Sequence, residues 1–266
     1  MAAPSSSLPL AGRVAIVTGS SRGIGRAIAI HLAELGARIV VNYASKSIEA
    51  DQVAAEINNL PAASEVSGNG SRAIVVQADV SQPSQVKSLF DSAESGFESP
   101  VYILVNSAGI LDPKYPTIAD TSVEDFDRIF SVNTRGAFLC CKEAANRLKR
   151  GGGGRIIILT SSLTRSLKPG FGAYVASKAA VEAMVKILAK ELKGTGITAN
   201  CIAPGPVATD MFFEGKSEET VKTIIAENPF ERLGETKDLA PVVGFLASDA
   251  GEWINGQVIP VNGGYV

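Results

Sequence analysis

Histidine is nearly absent from this sequence, because His31 is the only one among its 266 residues. A triad that uses histidine as its base needs that side chain beside a nucleophile, and metal centres often need several histidines. Neither kind of site is predicted. His31 falls in the middle of a predicted helix, where we expect it to have a structural role.

Cysteine is also scarce, and Cys140, Cys141 and Cys201 are the only three. Their number and spacing match neither a disulfide framework nor a metal-binding pattern. Cys140 and Cys141 lie in an amphipathic run and are predicted to be small core residues. A reducing, intracellular setting is therefore expected.

The sequence has no strong excess of charge and no long apolar run. A net charge of −2 gives no electrostatic reason to expect a nucleic-acid or anionic-membrane partner. No apolar stretch reaches the ~20 residues that cross a bilayer. Residues 1–9 lack the features of a secretory signal and the arginines of a transit peptide. We expect a flexible tail over residues 1–10 and a cytoplasmic location, with a plastid as the alternative.

Short apolar runs alternate with longer segments of helical periodicity. Strands are predicted at residues 14–18, 38–42, 73–77, 101–105, 155–160, 197–201 and 257–260. Helices are predicted at residues 24–35, 47–58, 82–95, 122–150, 172–193 and 237–248, with one short helix within 213–228. The first six strands are mostly apolar throughout, as in a parallel sheet covered on both faces. This alternation predicts an α/β fold, a single doubly wound Rossmann domain over residues 11–266 with a seven-stranded parallel sheet.

Several local signals mark where these elements begin and end. Thr121-Ser122-Val123-Glu124 reads as a capping box at the start of the helix over 122–150. Gly36 and Gly194 stand where two helices should end, because glycine readily adopts the left-handed conformation of a helix C-terminus. Residues 61–71 and 151–154 are predicted loops.

A glycine-rich loop, Thr18-Gly19-Ser20-Ser21-Arg22-Gly23-Ile24-Gly25, lies between the first predicted strand and the first predicted helix. Its glycines permit a tight turn and a close backbone approach to a ligand, and the helix N-terminus offers free N–H groups to a pyrophosphate. In this position the pattern indicates a dinucleotide site, with an ordinary glycine-rich turn as the alternative. The candidate contacts are Gly19, Ser21, Arg22, Gly23, Ile24 and Gly25.

The second predicted strand ends in Asn42-Tyr43-Ala44-Ser45-Lys46, which contains no acidic residue. Domains that prefer NAD carry such a residue, which binds the ribose hydroxyls, about 20 positions after the glycine loop. Arg22 and Lys46 offer positive charge to a 2′-phosphate instead, although each also fits a plain solvated surface charge. We therefore predict NADP(H) as the cofactor, with Asn42 and Lys46 among its contacts.

Asp79 and Val80 follow the third predicted strand, at the edge where open α/β sheets bind their ligands. The Asp79 carboxylate is predicted to accept a hydrogen bond from the adenine amino group. An N-cap role for the helix that begins near Pro83 is the alternative.

Tyr174 and Lys178 are four residues apart and share one face of a predicted helix. A cation about 4 Å from the phenol favours the phenolate by up to ~4 kcal/mol at an effective dielectric near 20. That is enough to move a phenol pKa from ~10 towards ~7, where a general acid works best. The pair alone also fits an aromatic residue near a surface lysine.

Four patterns occur in order along the chain, and together they resemble the short-chain dehydrogenase/reductase family. They are the loop at 18–25, Asn106-Ser107-Ala108-Gly109, Ser161, and the Tyr174/Lys178 pair. The resemblance runs from about Gly12 to the C-terminus. Within the family the chain is similar to NADP-dependent carbonyl reductases, such as plant aldehyde reductases and 3-oxoacyl carrier-protein reductases.

The resemblance implies a catalytic tetrad of Asn133, Ser161, Tyr174 and Lys178. Tyr174 is then the acid that protonates a carbonyl oxygen, and Lys178 lowers its pKa and binds the nicotinamide ribose. Ser161 binds the substrate oxygen, with the adjacent Ser162 as the alternative. Asn133 holds a water that links Lys178 to solvent.

The resemblance also implies cofactor contacts after the later strands. These are Asn106, Ala108, Gly109, Pro204, the backbone of Val207, and Thr209, together with Tyr174 and Lys178. The chain has Ser107 where the family pattern has a second asparagine, so local hydrogen bonding should differ there.

The implied function is the NADPH-dependent reduction of a small aldehyde or ketone. An alcohol dehydrogenase, a 3-oxoacyl thioester reductase and a non-catalytic dinucleotide-binding protein are the alternatives. Residues 208–228 correspond to a substrate lid, and its Met211, Phe212 and Phe213 indicate either an apolar substrate or packing of the lid. The family also implies a homotetramer or homodimer.

Overall fold

The computed structural model describes residues 8–61 and 71–266, in which seven strands form one parallel sheet. The strand order is β3-β2-β1-β4-β5-β6-β7, which confirms the predicted doubly wound fold. The strands are β1 Val14–Thr18, β2 Arg38–Tyr43, β3 Ala73–Gln77, β4 Val101–Asn106, β5 Gly154–Leu159, β6 Ile197–Pro204 and β7 Val258–Val261.

Ten α-helices are found in the described residues, and most of the long ones match their predicted positions. They are α1 Gly23–Glu34, α2 Ser47–Asn58, α3 Pro83–Phe97, α4 Val123–Phe130, α5 Gly136–Arg147, α6 Leu163–Ser166, α7 Gly172–Glu191, α8 Asp210–Phe213, α9 Glu218–Ala226 and α10 Thr236–Ala247.

The sheet separates two apolar cores, and adjacent strand residues contribute to opposite ones. Val14 packs into the core shared with α3, α5 and α7, whereas Ala15 packs into the core shared with α1, α2 and α10. Because side chains alternate across a strand, a strand with two covered faces must be apolar at every position. This is why the strands were recognisable as continuous apolar runs.

The predicted flexible tail, residues 1–10, lies mostly outside the described residues, but the structure differs from that expectation at its end. Leu10 is fully buried, and its N–H donates to the carbonyl of Leu35 at 2.8 Å. Leu8 packs against Gly36, where an added Cβ would lie 2.9 Å from the Leu8 Cβ. Residues 8–10 therefore belong to the folded domain.

The predicted helix over 122–150 is wrong as a continuous element. It is divided into α4 and α5 by one π-helical turn, Ser131–Arg135, and the second part ends at Arg147 because Leu148 is extended. The N-cap also lies one residue later than the predicted capping box places it. Ser122 is the N-cap, and its hydroxyl accepts a hydrogen bond from the Asp125 N–H at 3.0 Å.

The predicted lid over 208–228 contains two short helices. Helix α9 lies within residues 213–228, where one short helix was predicted, and α8 was not predicted. Each has an oxygen-bearing N-cap, Thr209 for α8 and Ser217 for α9. The turn between them contains Gly215 at a φ of +73°. The segment therefore bends at this glycine instead of forming one helix.

Strands β1 and β4 are adjacent in the sheet, yet the chain leaves them towards opposite edges. Such a reversal separates the loops that follow the two strands, and the crevice between them is where open α/β sheets bind ligands. The glycine loop after β1 and Asn106 at the end of β4 both lie at this point.

Arg155, in the second position of β5, is a fully buried cation inside the sheet. Its guanidinium donates to the carbonyls of Gly154 at 2.9 Å and Ser248 at 3.3 Å, and to the Asp249 carboxylate at 3.4 Å. Arg13 shares that carboxylate at 2.6 Å. The Asp249 side chain thus compensates two arginines, one of which has no access to water.

Replacing Asp249 with asparagine is expected to lower the free energy of unfolding by about 1–2 kcal/mol, because a buried charge loses its counter-charge. Urea unfolding measures this, with Asp51→Asn on exposed α2 as the control. Hydrogen bonding to Arg13 lowers the pKa of Asp249, with burial opposing it and the charges of Arg13 and Arg155 adding to it. The contribution should be full above about pH 5 and should vanish as pH falls through the lowered pKa. An equal loss in both variants would contradict this role.

Candidate active site

One cavity of about 730 Å³ opens at the carboxyl edge of the sheet. It is lined by the glycine loop after β1, the ends of β2 and β3, the loops after β4, β5 and β6, and one face of α7. Every residue predicted for the site lines this cavity except Asn106 and Asn133. The topology thus brings together side chains that are far apart in sequence.

The glycine loop is shaped as a ligand-binding turn. Gly19 and Gly23 have φ angles of +61° and +58°, a region that side chains disfavour. Gly25 lies in the first turn of α1, and a Cβ there would come within 2.4 Å of the Gly19 carbonyl oxygen. The backbone is therefore packed so closely that no side chain fits, and the helix N-terminus is left facing the cavity.

Asn42, predicted as a cofactor contact, lines the cavity and also braces this loop. Its buried amide oxygen accepts a hydrogen bond from the Gly19 N–H at 3.1 Å. Its amide nitrogen donates to the carbonyls of Val76 at 3.2 Å and Ala78 at 3.1 Å. One side chain thereby fixes the loop after β1 against the end of β3.

The predicted cations Arg22 and Lys46 both lie at the cavity wall. Their side chains are 60% and 55% exposed, and each has only a loose carboxylate partner, Asp210 at 3.3 Å and Glu49 at 3.6 Å. Neither charge is sequestered, so both are available to an anionic ligand. Asp210, one of these partners, was not singled out in the sequence.

Asp79 and Val80 also line the cavity, at the end of β3. The N-cap of α3 is Gln82, so the alternative role of Asp79 as the cap of that helix is wrong. One Asp79 carboxylate oxygen accepts from the Ser81 N–H at 2.9 Å, which holds the side chain within its own loop.

Asn106 does not line the cavity, contrary to its prediction as a contact residue. It is buried, and its amide oxygen accepts a hydrogen bond from the Thr18 hydroxyl at 3.0 Å. The same hydroxyl accepts from the Ala108 N–H at 3.1 Å. Asn106 therefore joins the ends of β1 and β4, while Ser107, Ala108 and Gly109 form the wall.

Tyr174 and Lys178 project from α7 into the cavity, as their spacing predicted. The Lys178 Nζ lies 5.8 Å from the centre of the Tyr174 ring and donates to the Leu159 carbonyl at 2.9 Å. Lys178 is 5% exposed, and burial lowers its pKa to about 8. The lysine is thus held beside the phenol by the end of β5.

The pKa of Tyr174 departs from its ordinary value in the direction opposite to the one expected from the sequence. Burial raises it, and interaction with the Ser161 side chain lowers it by less. Removing a phenol from water penalises the phenolate, and this outweighs the hydrogen bond with the Ser161 side chain that stabilises it. The phenol is therefore fully protonated at neutral pH.

The two adjacent serines have different surroundings, although both line the cavity. The Ser162 hydroxyl donates to the Ala203 carbonyl at 2.9 Å and accepts from Asn262 at 3.2 Å, so its hydrogen-bonding capacity is used within the fold. The Ser161 hydroxyl accepts only from the Leu163 N–H at 3.2 Å among the described residues, and it interacts with Tyr174. The geometry favours Ser161 as the functional serine.

Asn133, in the π-helical turn, is buried behind the cavity wall. Its amide accepts from the Ile110 N–H at 2.8 Å and donates to the Ile110 carbonyl at 2.9 Å and the Ser177 hydroxyl at 3.1 Å. An added Cβ on Gly109 would meet both the Lys178 Nζ and the Asn133 amide oxygen, at 3.2 and 3.3 Å. Asn133 therefore fixes the loop after β4 against α7, next to Lys178.

The loop after β6 supplies the remaining predicted contacts, Pro204, Val207 and Thr209. Thr209 also caps α8, because its hydroxyl accepts from the Phe212 N–H at 3.4 Å. Of the apolar lid residues, Met211 and Phe212 line the cavity, and Phe213 does not. The lining residues that sequence reasoning did not single out include Lys168, Lys216, Ile224 and Tyr265.

The lining fits a dinucleotide with a 2′-phosphate. The glycine loop leaves space that a Cβ would fill, the end of β2 has no carboxylate, and two cations lie beside it. Within residues 8–61 and 71–266, no group of three or more His, Cys, Asp or Glu side chains is arranged to hold a metal ion.

Comparison with known proteins agrees with this geometry. A family model described as enoyl-(acyl carrier protein) reductase matches residues 19–266. A chloroplastic NADPH-dependent aldehyde reductase-like protein of Arabidopsis thaliana is 79% identical, over 97% of this chain and 96% of its own length. The chloroplastic NADPH-dependent aldehyde reductase 2 of the same plant is 70% identical, over 97% of this chain and 95% of its own length.

Solved structures share the fold over nearly the whole chain. A short-chain dehydrogenase from Burkholderia cenocepacia in complex with NADP is 34% identical with a TM-score of 0.86, covering 97% of this chain and 99% of that one. An angucycline C-6 ketoreductase with bound NADP is also 34% identical with a TM-score of 0.86, covering 97% and 96%. The chain belongs to the short-chain dehydrogenase/reductase family.

Proposed function

We propose that the protein is an NADPH-dependent reductase that transfers hydride to the carbonyl carbon of a small aldehyde or ketone. The observation that carries this is a cavity in which Ser161, Tyr174 and Lys178 meet a glycine loop, and in which the end of β2 supplies no carboxylate. The relatives named NADPH-dependent aldehyde reductases, at 79% and 70% identity, support the same activity.

The residues that line the cavity have separate roles in the reaction. NADPH, when bound, supplies the hydride. Tyr174 donates its proton to the carbonyl oxygen as negative charge grows there, and the Ser161 hydroxyl donates a hydrogen bond to the same oxygen. Lys178 binds the nicotinamide ribose hydroxyls, from its position beside the Leu159 carbonyl.

Tyr174 carries at neutral pH the proton that the reduction of a carbonyl consumes. Because burial raises the pKa of this phenol, it carries its proton at neutral pH and is ready to act as an acid. The oxidation of an alcohol needs the phenolate instead. The proton is replaced through Lys178, whose pKa near 8 allows it to gain and release a proton close to neutrality, and Asn133 holds the water that connects it to solvent.

Replacing both Arg22 and Lys46 with alanine is expected to weaken NADPH binding by about 10- to 100-fold and to leave NADH binding within about threefold, because each contacts a 2′-phosphate that NADH lacks. Fluorescence titration with both cofactors measures this. Lys87→Ala, on exposed α3 and away from the cavity, is the control. Equal losses of affinity for the two cofactors would show that these cations do not bind the 2′-phosphate.

The function is tested most directly by following NADPH and NADH oxidation with aldehydes, ketones, quinones and 3-oxoacyl thioesters. Turnover of aldehydes or ketones with NADPH supports the proposal. Turnover of thioesters alone would instead assign a 3-oxoacyl reductase. Cofactor binding without turnover of any of these classes would indicate a dinucleotide-binding protein.

The cellular compartment of the protein is proposed from its helices and its relatives. No helix in the described part of the chain is long and apolar enough to cross a membrane. Of the two compartments left open by the sequence, the cytoplasm and a plastid, the plastid is favoured by relatives that are named chloroplastic.

A homotetramer or homodimer is favoured by the exposed apolar side chains of Phe126, Phe138 and Ile187 on α4, α5 and α7.

A further inference from the structure

Two lysines that sequence reasoning did not single out, Lys168 and Lys216, line the same cavity as Tyr174 and the lid. Neither lies near the glycine loop in sequence, and neither belongs to the tetrad. Their surroundings differ in one respect that bears on substrate recognition, which is the presence of a counter-charge.

The charge of Lys168 is compensated within the fold. Its Nζ forms an ion pair with Glu227 at 2.5 Å and lies 5.0 Å from the centre of the Tyr265 ring. Burial works against the charge, but hydrogen bonding to Glu227 and Tyr265 leaves the pKa of Lys168 raised. Lys168 therefore connects the loop after α6 to the lid through its ion pair with Glu227.

The charge of Lys216 has no such partner. Within the described parts of the chain its Nζ forms no ion pair, and it donates to two neutral oxygens, the Tyr115 hydroxyl and the Phe212 carbonyl. It also lies 4.4 Å from the centre of the Tyr115 ring and 4.8 Å from that of Phe212. An ammonium has three N–H donors, so one remains for a ligand.

The surroundings of Lys216 are rigid. The Tyr115 hydroxyl donates to the Glu214 carbonyl at 2.7 Å, and the Tyr115 backbone has a φ of +51°, which is rare for a tyrosine. An added Cβ on Gly215 would come within 2.0 Å of the Pro113 carbonyl oxygen, so the lid and the loop after β4 are in close contact. The ammonium is thus held in place before any ligand arrives.

The position of Lys216 is on the substrate side of the cavity. The Tyr115 ring, on which the ammonium lies, packs against Phe171 at 5.1 Å between ring centres. Phe171 immediately precedes α7, the helix that carries Tyr174, and it lines the cavity. Contacts through Tyr115 and Phe171 thus connect Lys216 with the start of the helix that carries Tyr174.

We propose that Lys216 is a specificity-determining residue that binds a carboxylate at the end of the substrate remote from the carbonyl. The substrate class is then the oxo acids, in which a reducible aldehyde or ketone and an anion are joined by an apolar spacer. The inference rests on the proposed function, because it assumes reduction at Tyr174. The apolar side chains of Leu111, Phe171 and Met211 provide the wall for the spacer.

The physical reason lies in the cost of the uncompensated charge. Burial lowers the pKa of Lys216, which shows that its charged form is poorly solvated in the protein alone. A carboxylate at this point restores the missing counter-charge and occupies the free N–H, and a charge-assisted hydrogen bond is about twice as strong as a neutral one. The carbonyl oxygen of a neutral ester can also accept this N–H, but it supplies no counter-charge.

The test compares acids with their methyl esters, which have the same carbonyl and spacer but no charge. The probes are para-carboxybenzaldehyde and a series of unbranched ω-oxo carboxylates of increasing length, each paired with its ester. The quantity measured is the ratio of kcat/KM for the acid to kcat/KM for the ester. The wild-type protein is expected to prefer the acid by about 10- to 100-fold at one best chain length.

Three variants test whether Lys216 causes the preference for the acid over the ester. Lys216→Met keeps an unbranched side chain that is one atom shorter and removes the charge, and it should lower the ratio to about one. Lys216→Arg should retain most of the ratio. Lys222→Met removes a lysine from the exposed face of α9 in the same lid, outside the cavity, and should leave the ratio at its wild-type value.

The outcomes separate the inference from the function on which it rests. Turnover of acids and esters with no preference in the wild type, or a preference that Lys216→Met leaves unchanged, overturns the role of Lys216 but not the reductase activity. No NADPH oxidation with any carbonyl compound overturns the proposed function itself. If Lys216→Met does not fold, the wild-type ratio still tests the inference. A ratio near one at every chain length overturns it, and a high ratio at one chain length supports it.

Discussion

Replacing Tyr174 with phenylalanine is expected to lower kcat by about 10²–10⁴-fold, because the variant retains the ring and loses the phenol proton that is transferred to the carbonyl oxygen. The fall should appear in kcat and kcat/KM alike, since the interaction is made in the transition state. NADPH oxidation with a reactive aldehyde measures it.

Cofactor affinity in the same variant should remain within about twofold of wild type, because the phenol hydroxyl is not the main anchor of a dinucleotide held by the glycine loop. Fluorescence titration with NADPH measures this. Tyr102→Phe, in β4 and outside the cavity, is the matched control and should behave as wild type. Turnover near the wild-type rate in Tyr174→Phe would show that another group protonates the substrate.

Replacing Gly25 with alanine is expected to weaken NADPH binding by at least about 100-fold. The added Cβ would lie 2.4 Å from the Gly19 carbonyl oxygen, and this atom belongs to the backbone and cannot rotate away. The loop after β1 must therefore move, and it carries the N–H groups that face the pyrophosphate. Titration with NADPH and NADH should show similar losses, since both cofactors carry the pyrophosphate.

Gly96→Ala is the matched control for this effect, because Gly96 also lies inside a helix, α3. Its added Cβ would meet only the tip of the Ile74 side chain, at 2.8 Å, which can adjust. This variant should bind NADPH as the wild type does, with stability little changed because alanine favours the helix. Normal cofactor affinity in Gly25→Ala would mean that the loop does not hold the pyrophosphate.

The fold was accessible from the sequence because its signals are local. Each strand of a sheet with two covered faces must be apolar throughout, and each helix must show an apolar stripe. Helix α2 was predicted at residues 47–58, the bounds that the structure shows. The break after Phe130 was not predictable in this way, because Asn133 stabilises it through Ile110 and Ser177, which are distant in sequence.

The sequence predicted which residues form the candidate site, but it did not predict the role of each one. Asn42 and Asn106 were predicted as cofactor contacts, yet their amides mainly tie one strand end to another. Asparagine carries both donors and an acceptor, so the residue type alone does not reveal which partner it meets.

The sequence by itself determined the architecture of this protein and the chemical groups of its reaction, because periodicity, loop glycines and the Tyr174/Lys178 spacing act over a few residues. The electrostatics were decided only by the tertiary structure. Burial raises the pKa of Tyr174, whereas the local Tyr174/Lys178 pair predicted a decrease, and burial lowers the pKa of Lys216 at the cavity wall. Both effects depend on desolvation, which arises only when distant segments close around a charge.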